Sequence, residues 1–369
     1  MILIFVYHFL MLVVDIILLY IVWRRPFLSL FKFLCLAFLG CFFAVLFSLG
    51  DISKIVHGLS WHGSFFLIMT GLILILRNKK HERRMRLSIL LFFVSFFILF
   101  FSVISLLIEP FALEVLRYEY KTDLVFRPVR VAFFADFQTD CIGDYERKAL
   151  NLLKEQNADL IIFGGDYIQA KSPEAEKRLI REFNLLLKEV NLRTRYGVYA
   201  IKGNQELARW YDWRRSFEGT GIIVFDKTAR MNIGDLSVVF VSLWDSYKLQ
   251  KIDTYPRFFD RRRRLLDVRF VLMAGHVASY AMAGQEAHLM LAGHTHGGQV
   301  CIPFFGPLLN MTPGLPLRWS SGEHKLPNGS ILIVSKGVGL ERGNAPRIRF
   351  NCKPDIIVID IVPNNGNKL

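Results

Sequence analysis

Cysteine is scarce in this sequence of 369 residues, which contains only five. Cys35 and Cys41 fall within one long apolar stretch, while Cys141, Cys301 and Cys352 are scattered and odd in number. This pattern excludes a small scaffold held together by disulfides. It leaves the compartment open, because an extracytoplasmic domain can keep such cysteines buried and reduced.

The first apolar run lacks the usual pattern of a cleavable signal peptide, which is the alternative interpretation of this segment. The first apolar run, residues 2–23, is followed rather than preceded by its charges, Arg24 and Arg25, and no small-residue cleavage site is evident. A signal peptide has the opposite charge order. We therefore expect an uncleaved membrane span at this position.

The sequence has no basic stripe of the kind that binds nucleic acid. Its net charge of +14 is divided about evenly between the first 108 residues and the remainder. The one dense basic run, Arg261–Arg264, is interpreted as solvated surface, and contact with anionic lipid headgroups is the alternative. We expect no nucleic-acid partner.

Apolar residues make up 53% of the chain, and the excess is concentrated at the front. Four stretches there, residues 2–23, 27–50, 59–76 and 87–108, are each long enough or nearly long enough to cross a bilayer. The third is the weakest, because it is short and contains His62. We predict an α-helical membrane domain with four spans over residues 1–110.

The loops between these stretches indicate an orientation. The loop after the third stretch is strongly basic, the loop after the first carries Arg24 and Arg25, and the loop after the second sets Lys54 against Asp51. Basic loops stay in the cytoplasm. We therefore expect a multi-pass protein of the cell (inner) membrane, with everything after Glu109 on the extracytoplasmic side. The basic residues of the third loop are Arg77, Lys79, Lys80, Arg83, Arg84 and Arg86.

Asp15 lies in the middle of the first span, with His8 on the same helical face. Ionisable groups inside a membrane are often functional. The alternative is a protonated Asp15 that is hydrogen-bonded between packed helices. A transporter is disfavoured, because Asp15 is the only clear acid in the spans and no pair of helices broken by Gly or Pro appears.

Beyond a linker at residues 111–127, the pattern becomes that of an α/β domain, residues 128–369. Buried strands at 131–135, 160–163 and 198–201 alternate with helices at 144–156 and 173–190. This alternation is typical of a layered α/β fold. Shorter strands follow with fewer helices between them, and they suggest a second sheet with more antiparallel pairing. These strands are 222–225, 237–243, 269–274, 288–292, 331–335 and 355–361.

Residues of metal-ligand type stand at the ends of the predicted strands. In the stretch Gly293-His294-Thr295-His296-Gly297-Gly298-Gln299, two imidazoles follow a buried strand on a Gly-rich loop and can turn into one cleft. Sites in α/β folds gather at the carboxyl ends of strands. The whole set is enough for two divalent ions bridged by one carboxylate, the arrangement that activates water for attack on a phosphoryl group. Its members are Asp136, Asp166, Asn204, His276, His294 and His296.

These residues in this order resemble the calcineurin-like metallophosphoesterase superfamily, over roughly residues 128–362. The Gly-His-Thr-His-Gly-Gly-Gln stretch and the later Ser335–Gly339 segment are similar to a bacterial branch in which such a domain follows membrane spans. The resemblance implies a two-sheet sandwich flanked by helices and hydrolysis of a phosphoester or diphosphate by metal-bound hydroxide.

Carried over position by position, the resemblance implies two divalent ions. Asp136, Asp166 and His296 would hold the first. Asp166, as the bridge, would hold the second with Asn204, His276 and His294. The catalytic candidates are Asn204, Gln205, Glu206 and His294.

Gln138 is the first departure from the family pattern, which usually has histidine there. Its amide oxygen is a harder ligand than imidazole, so Mn²⁺ is favoured, and Mg²⁺, Fe²⁺ or Zn²⁺ are the other candidates. Alternatively, Gln138 does not bind the metal and the first site is weaker.

Gln205 is the second departure, because the family usually has a histidine that protonates the leaving oxygen. Glutamine cannot supply that proton, and Glu206 is a candidate substitute acid. The loss favours a substrate whose leaving group needs little protonation, such as the phosphate side of a diphosphate. The competing hypothesis is a degenerate domain that binds metal or phosphate and signals through the spans without turnover.

The stretch 206–217 is predicted to be a helix with Trp210, Trp213 and Phe217 on one face. Either these aromatics pack on the sheet, or the helix lies at a membrane surface. The expected partners are membrane lipids and a phosphorylated small-molecule or lipid-linked substrate. The oligomeric state does not follow from the sequence.

Overall fold

The computed structural model describes residues 2–24, 30–48, 52–77, 82–207, 210–248, 269–310, 312–342 and 345–364. The chain divides into two compact units: Met1–Ile108 with Glu341–Arg347, and Glu109–Leu340 with Ile348–Leu369. The basic run Arg261–Arg264, interpreted above as surface, lies outside the described residues.

The first unit is built from apolar helices. They are α1 (Ile2–Arg24), α2 (Leu30–Ser48), α3 (Ile52–His57), α4 (Gly63–Arg77) and α5 (Glu82–Val103). A π-helical turn, Gly58–His62, joins α3 to α4, and a second, Ile104–Ile108, extends α5.

The apolar helical region is therefore confirmed, whereas the count of four spans is only partly met. Among the described residues, three helical stretches are long and apolar enough to cross a membrane: Phe5–Arg24, Lys54–Arg77 and Glu82–Phe111. The apolar stretch Cys35–Ser48 of α2 is shorter.

Asp15 is buried in the first unit and bonded to a second helix. Its Oδ2 lies 2.6 Å from Nδ1 of His62, and Nε2 of His62 lies 3.0 Å from Nδ1 of His8. The arrangement agrees with the interpretation of Asp15 as a hydrogen-bonded link between packed helices, since a buried carboxyl group needs such a partner.

The second unit contains fourteen strands among its described residues. They are β1 (Glu114–Thr122), β2 (Val129–Phe134), β3 (Leu160–Phe163), β4 (Val198–Ile201), β5 (Ile223–Phe225), β6 (Ala229–Ile233), β7 (Leu236–Phe240), β8 (Phe270–Ala274), β9 (Leu289–Ala292), β10 (Cys301–Ile302), β11 (Gly306–Pro307), β12 (Gly322–Lys325), β13 (Ile331–Val334) and β14 (Asp355–Pro363). The helices are α6 (Asp144–Glu155), α7 (Pro173–Val190) and the short α8 (Leu243–Tyr247). Nine of these strands and both longer helices correspond to predicted elements.

Two six-stranded sheets form a sandwich. The first has the order β1-β14-β2-β3-β4-β5, and only the β14–β2 pair is antiparallel. The second has the order β12-β13-β9-β8-β7-β6, with antiparallel pairs at its two edges. Strands β10 and β11 form a separate hairpin.

Buried apolar side chains fill the space between the sheets and cover their outer faces. Phe133 and Ile162 of the first sheet share one cluster with Phe240 and Leu291 of the second. Side chains alternate along a strand. Phe134, the neighbour of Phe133, therefore points to the outer face, where it forms another cluster with residues of α6 and α7. The predicted sandwich flanked by helices is confirmed.

The prediction that residues 111–127 form a linker is wrong, because these residues contain strand β1. Residues Glu114–Thr122 pair in parallel with Asp355–Pro363, at the edge of the first sheet. The segment resembled a linker because its exposed positions are charged or polar, as expected for an edge strand.

The predicted helix over residues 206–217 is also wrong. The described part contains two short 3₁₀ turns, Asn204–Glu206 and Trp213–Phe217, rather than one helix. Trp213 and Phe217 are buried against Tyr167, while Trp210 is exposed. Aromatic packing, not a continuous membrane-surface helix, explains two of the three aromatic residues.

Candidate metal centre

The predicted ligand residues lie just beyond the ends of strands in both sheets. Asp136, Asp166 and Asn204 follow the parallel neighbours β2, β3 and β4. His276 and His294 follow the parallel neighbours β8 and β9. Because parallel strands end at a common edge, each sheet delivers its set of polar groups to one place.

Several of these residues have a left-handed backbone, which is uncommon outside glycine. The φ angles are +51° at Asp136, +56° at Asp166, +72° at His294 and +48° at His296. Non-glycine residues with positive φ cost free energy and cluster at functional sites. The fold therefore holds the site in a conformation that local preference does not favour.

Asp166, His276 and His294 form the tightest cluster. One ligand atom from each lies within 4.8 Å of the others. The Oδ1 atom of Asn204 is 2.8 Å from Nε2 of His276, and Oδ1 of Asp166 is 3.4 Å from the same nitrogen. One carboxylate, two imidazoles and one amide oxygen therefore converge.

The orientation of the His276 ring is fixed by the main chain. Its Nδ1 lies 2.8 Å from the carbonyl oxygen of Gly164, which can only accept a hydrogen bond, so Nδ1 carries the proton. Nε2 is left facing Asn204 and Asp166. A second hydrogen bond that sets the tautomer in this way is typical of a metal-binding histidine.

Asp136 is held by two loops. Its carboxylate accepts the N–H of His294 at 2.8 and 3.0 Å, and its Oδ1 lies 3.8 Å from Nδ1 of His276. From the other side, the N–H of Gly339 donates to the carbonyl oxygen of Asp136. A Cβ at residue 339 would lie 2.2 Å from the oxygen of Phe137, so this close approach requires glycine.

The side chains of Gln138 and His296 contact each other. Oε1 of Gln138 lies 2.5 Å from Nε2 of His296, and both side chains are buried. Nδ1 of His296 is buried and has no hydrogen-bond partner among the described residues. A buried nitrogen without a partner is unfavourable. The donor set, rich in oxygen and imidazole, fits a divalent cation.

The charges at the site interact strongly. Burial and the neighbouring Asp166 raise the pKa of Asp136 to about 8. Burial alone would lower the pKa of His276, but Asp166 and Asp136 raise it to about 9. Burial would raise the pKa of Asp166, yet His276 lowers it. Burial and the cation of Arg349 hold the pKa of His296 well below its usual range, so this imidazole is neutral. A cation entering the site would displace protons.

Glu206, the candidate substitute acid, is hydrogen-bonded to the main chain. Its Oε2 accepts the N–H groups of Gly203 and Asp166 at 2.9 and 3.0 Å, and its Oε1 accepts that of Tyr167 at 2.8 Å. Both carboxylate oxygens are thus engaged by the main chain. These bonds tie the Asp166 loop to the Asn204 loop and hold the Glu206 carboxyl group in place.

Arg349 was not found by sequence reasoning. It is fully buried and donates to the carbonyl oxygens of Lys336, Gly337 and Gly339 at 2.7, 3.1 and 2.7 Å. It thereby holds the segment that contacts Asp136. Its only sequence signal was the Ser335–Gly339 segment, which gave no indication of which cation holds it.

Comparison with known proteins assigns the domain. Residues 129–298 match the calcineurin-like phosphoesterase family. The chain is similar to the uncharacterized metallophosphoesterase YkuE of Bacillus subtilis, with 26% identity over 271 residues, covering 70% of this chain and 88% of the relative. It is also similar to the phosphodiesterase YaeI of Escherichia coli, with 31% identity over 94 residues, 26% of this chain and 32% of the relative.

Among solved structures, a dimetal phosphatase from Danio rerio matches with a TM-score of 0.34 and 11% identity, covering 57% of this chain and 88% of that chain. The family match and the bacterial relatives support a metal-dependent phosphoesterase. Its α/β unit is a calcineurin-like phosphoesterase domain, as the resemblance implied. Such a domain uses divalent metal ions and acts on a phosphorylated substrate.

Proposed function

We propose that this domain holds two divalent ions and hydrolyses a phosphoester or diphosphate bond. The first ion would be held by Asp136, Gln138, Asp166 and His296. The second would be held by Asp166, Asn204, His276 and His294. The observation that carries the proposal is the convergence of Asp166, His276 and His294, whose ligand atoms lie within 4.8 Å of one another. Asp136 lies 3.8 Å from the imidazole of His276. Two such ions polarise a phosphoryl group and activate water.

Mn²⁺ is the proposed metal. Gln138 supplies an amide oxygen where the family pattern usually has an imidazole, and its contact with His296 supports a ligand role rather than a bystander role. Oxygen donors suit Mn²⁺ and Mg²⁺ better than Zn²⁺.

The leaving group is proposed to need little protonation. Gln205 has no titratable proton, and the carboxylate of Glu206 is engaged by three N–H groups. Asn204 and His294 remain the side chains for orienting the phosphate. A diphosphate, whose leaving group is already a stable anion, fits this site better than an alkyl phosphomonoester.

A lipid-linked substrate is proposed because apolar surfaces occur in both units. Among the described residues, three helical stretches near the N-terminus are long and apolar enough to cross a membrane. In the second unit, the β10–β11 hairpin follows the His294–His296 loop and exposes Phe304 and Phe305, at 106% and 85% of their reference areas. This hairpin packs on the metal loop, because a Cβ at Gly298 would lie 2.8 Å from the Cβ of Pro307 in β11. Exposed aromatic side chains at such a turn suit a lipid surface.

The membrane orientation proposed from the basic loops places the domain on the extracytoplasmic side. The test fuses to the C-terminus a reporter enzyme that works only outside the cytoplasm. We expect this reporter to be active. A reporter that works only in the cytoplasm would overturn the orientation and leave the chemistry intact.

The test of function uses the full-length chain in lipid nanodiscs with Mn²⁺. We expect hydrolysis of lipid-linked diphosphates that exceeds hydrolysis of alkyl phosphomonoesters, and its loss in Asp166→Asn. Metal binding without turnover of any substrate would favour the alternative, a metal- or phosphate-binding sensor, which the two departures from the family pattern, Gln138 and Gln205, support.

The lipid part of the proposal has its own test. Replacing Phe304 and Phe305 by Ser is expected to lower activity on nanodisc-embedded substrate several-fold while activity on a soluble aryl diphosphate is unchanged. Phe126→Ser is the matched control, because Phe126 is 81% exposed in the same unit. Equal effects of the two changes would contradict a lipid-contacting role for the hairpin.

A further inference from the structure

Two cysteines that are 51 positions apart in sequence meet behind the metal loop. Cys301 opens strand β10, and its N–H donates to the carbonyl oxygen of Phe350, which brings it beside the segment that contains Cys352. Both residues are free thiols, and both sulfur atoms lie against the carbonyl oxygen of Gly297. Their spacing along the chain does not predict that they meet.

Both thiols also touch the main chain of the metal loop. The Sγ of Cys301 donates to the carbonyl oxygen of Gly297 at 3.3 Å. The Sγ of Cys352 donates to the carbonyl oxygens of His296 and Gly297 at 3.4 and 3.6 Å. The loop is packed directly against sulfur, because a Cβ at residue 297 would lie 2.6 Å from the Sγ of Cys352.

The two cysteines differ in access. Cys301 is partly exposed, whereas only 1% of Cys352 is exposed. An external disulfide therefore reaches Cys301 first, and Cys352 is placed to attack the sulfur of Cys301. Access rather than acidity sets this order, because the contact between the two residues raises the pKa of the Cys301 thiol and lowers that of Cys352.

We propose that Cys301 and Cys352 are a redox-modification site, which closes to a disulfide by exchange with a small-molecule or protein disulfide and weakens metal binding at His296. In the first step Cys301 gives up its proton to solvent, and its sulfur bonds to one sulfur of the oxidant and releases the other, which takes up a proton and leaves as a thiol. In the second, the Cys352 thiolate bonds to the Cys301 sulfur and releases the second thiol. The two cysteines lose two electrons and two protons, and the oxidant disulfide gains them.

The effect on the metal follows from the contacts that the bond removes. A disulfide has no S–H donor, so the carbonyl oxygens of His296 and Gly297 lose their bonds to sulfur. The S–S bond, about 2.05 Å long, also draws together two sulfur atoms that now pack on the loop. The His296 ring is thereby displaced from Gln138. This consequence rests on the proposed role of His296 as a metal ligand, whereas formation of the disulfide does not.

The test begins with full-length protein in which Cys35, Cys41 and Cys141 are replaced by Ser. After treatment with glutathione disulfide, peptide mass spectrometry without reductant is expected to find a Cys301–Cys352 cross-link that dithiothreitol reverses. With Cys352→Ser added, glutathione is expected to remain on Cys301. With Cys301→Ser added, no adduct is expected. Two thiols that stay free, or glutathione that stays on Cys301 although Cys352 is present, would overturn the proposal.

The second measurement is Mn²⁺ binding to metal-free protein before and after oxidation. We expect affinity to fall about tenfold on oxidation and to be unaffected by oxidant in Cys301→Ser. A cross-link that leaves Mn²⁺ affinity unchanged would overturn the coupling to the metal. Failure of the cross-link in protein that binds Mn²⁺ and hydrolyses phosphoesters would refute this inference alone, whereas a cross-link in protein without turnover would count only against the proposed function.

Discussion

The amide oxygen of Gln138 lies 2.5 Å from Nε2 of His296, so these two buried side chains point at one place although 158 positions separate them. Each of the two side chains can ligate a cation. The contact suggests how a glutamine serves where the family pattern has a histidine.

Replacing Gln138 by Leu removes an oxygen donor while keeping similar bulk. We expect the affinity of the first metal site for Mn²⁺ to fall by about 10- to 100-fold, because loss of groups that support a metal typically costs that much. Gln138→His, the matched control, is expected to restore binding and to shift preference toward Zn²⁺. Competitive titration with a metal indicator measures both. Unchanged Mn²⁺ binding in Gln138→Leu would show that this residue is not a ligand.

Replacing Gln205 by His supplies a group that can protonate a leaving oxygen. The main-chain N–H of Gln205 donates to Oδ1 of Asp166 at 2.7 Å, so the backbone is already fixed beside the site. We expect kcat on alkyl phosphomonoesters to rise by about 10². The gain on substrates with good leaving groups should be small. An equal gain on both classes would argue against missing acid catalysis.

Metal affinity is expected to rise with pH. In metal-free protein the pKa of Asp136 is raised to about 8, with burial the largest cause, and that of His276 to about 9 by Asp166, so both hold protons at pH 7. Binding must expel those protons, and raising the pH removes the competition. Calorimetry between pH 6 and pH 9, in buffers with different heats of ionisation, is expected to show proton release that declines toward pH 9. Proton uptake on binding would contradict the assignment.

Gly339 tests the support of the Asp136 loop. A methyl group there would meet the main-chain oxygen of Phe137 at 2.2 Å, so the loop must move. We expect Gly339→Ala to lower the free energy of unfolding by about 1–3 kcal/mol and to weaken metal binding. Gly143→Ala is the control, since its nearest neighbour, Oε2 of Glu146, lies 3.6 Å away. Thermal unfolding with and without Mn²⁺ measures both effects.

The sequence was informative where local pattern decides structure. Residues 160–163 are a continuous apolar run, and β3 occupies the predicted positions. Asp166 comes after Gly164 and Gly165, and these two glycines mark the end of the strand. The candidate metal ligands could be predicted together because each of them follows the end of a predicted strand.

Other features depend on partners distant in sequence. Strand β1 was missed because Glu114–Thr122 is half exposed, and its partner Asp355–Pro363 lies near the far end of the chain. The contact of Cys301 with Cys352 likewise exists only in the folded sandwich. The engagement of Glu206 by three N–H groups could not be foreseen, because the turn that presents those groups forms only when two loops meet.

The central claim is that one carboxylate, Asp166, bridges two ions. Metal analysis by inductively coupled plasma mass spectrometry, on full-length protein reconstituted with Mn²⁺, tests it most directly. We predict two ions per chain in the unchanged protein and fewer than one in Asp166→Asn. One ion or none in the unchanged protein, or two retained in Asp166→Asn, would contradict the account.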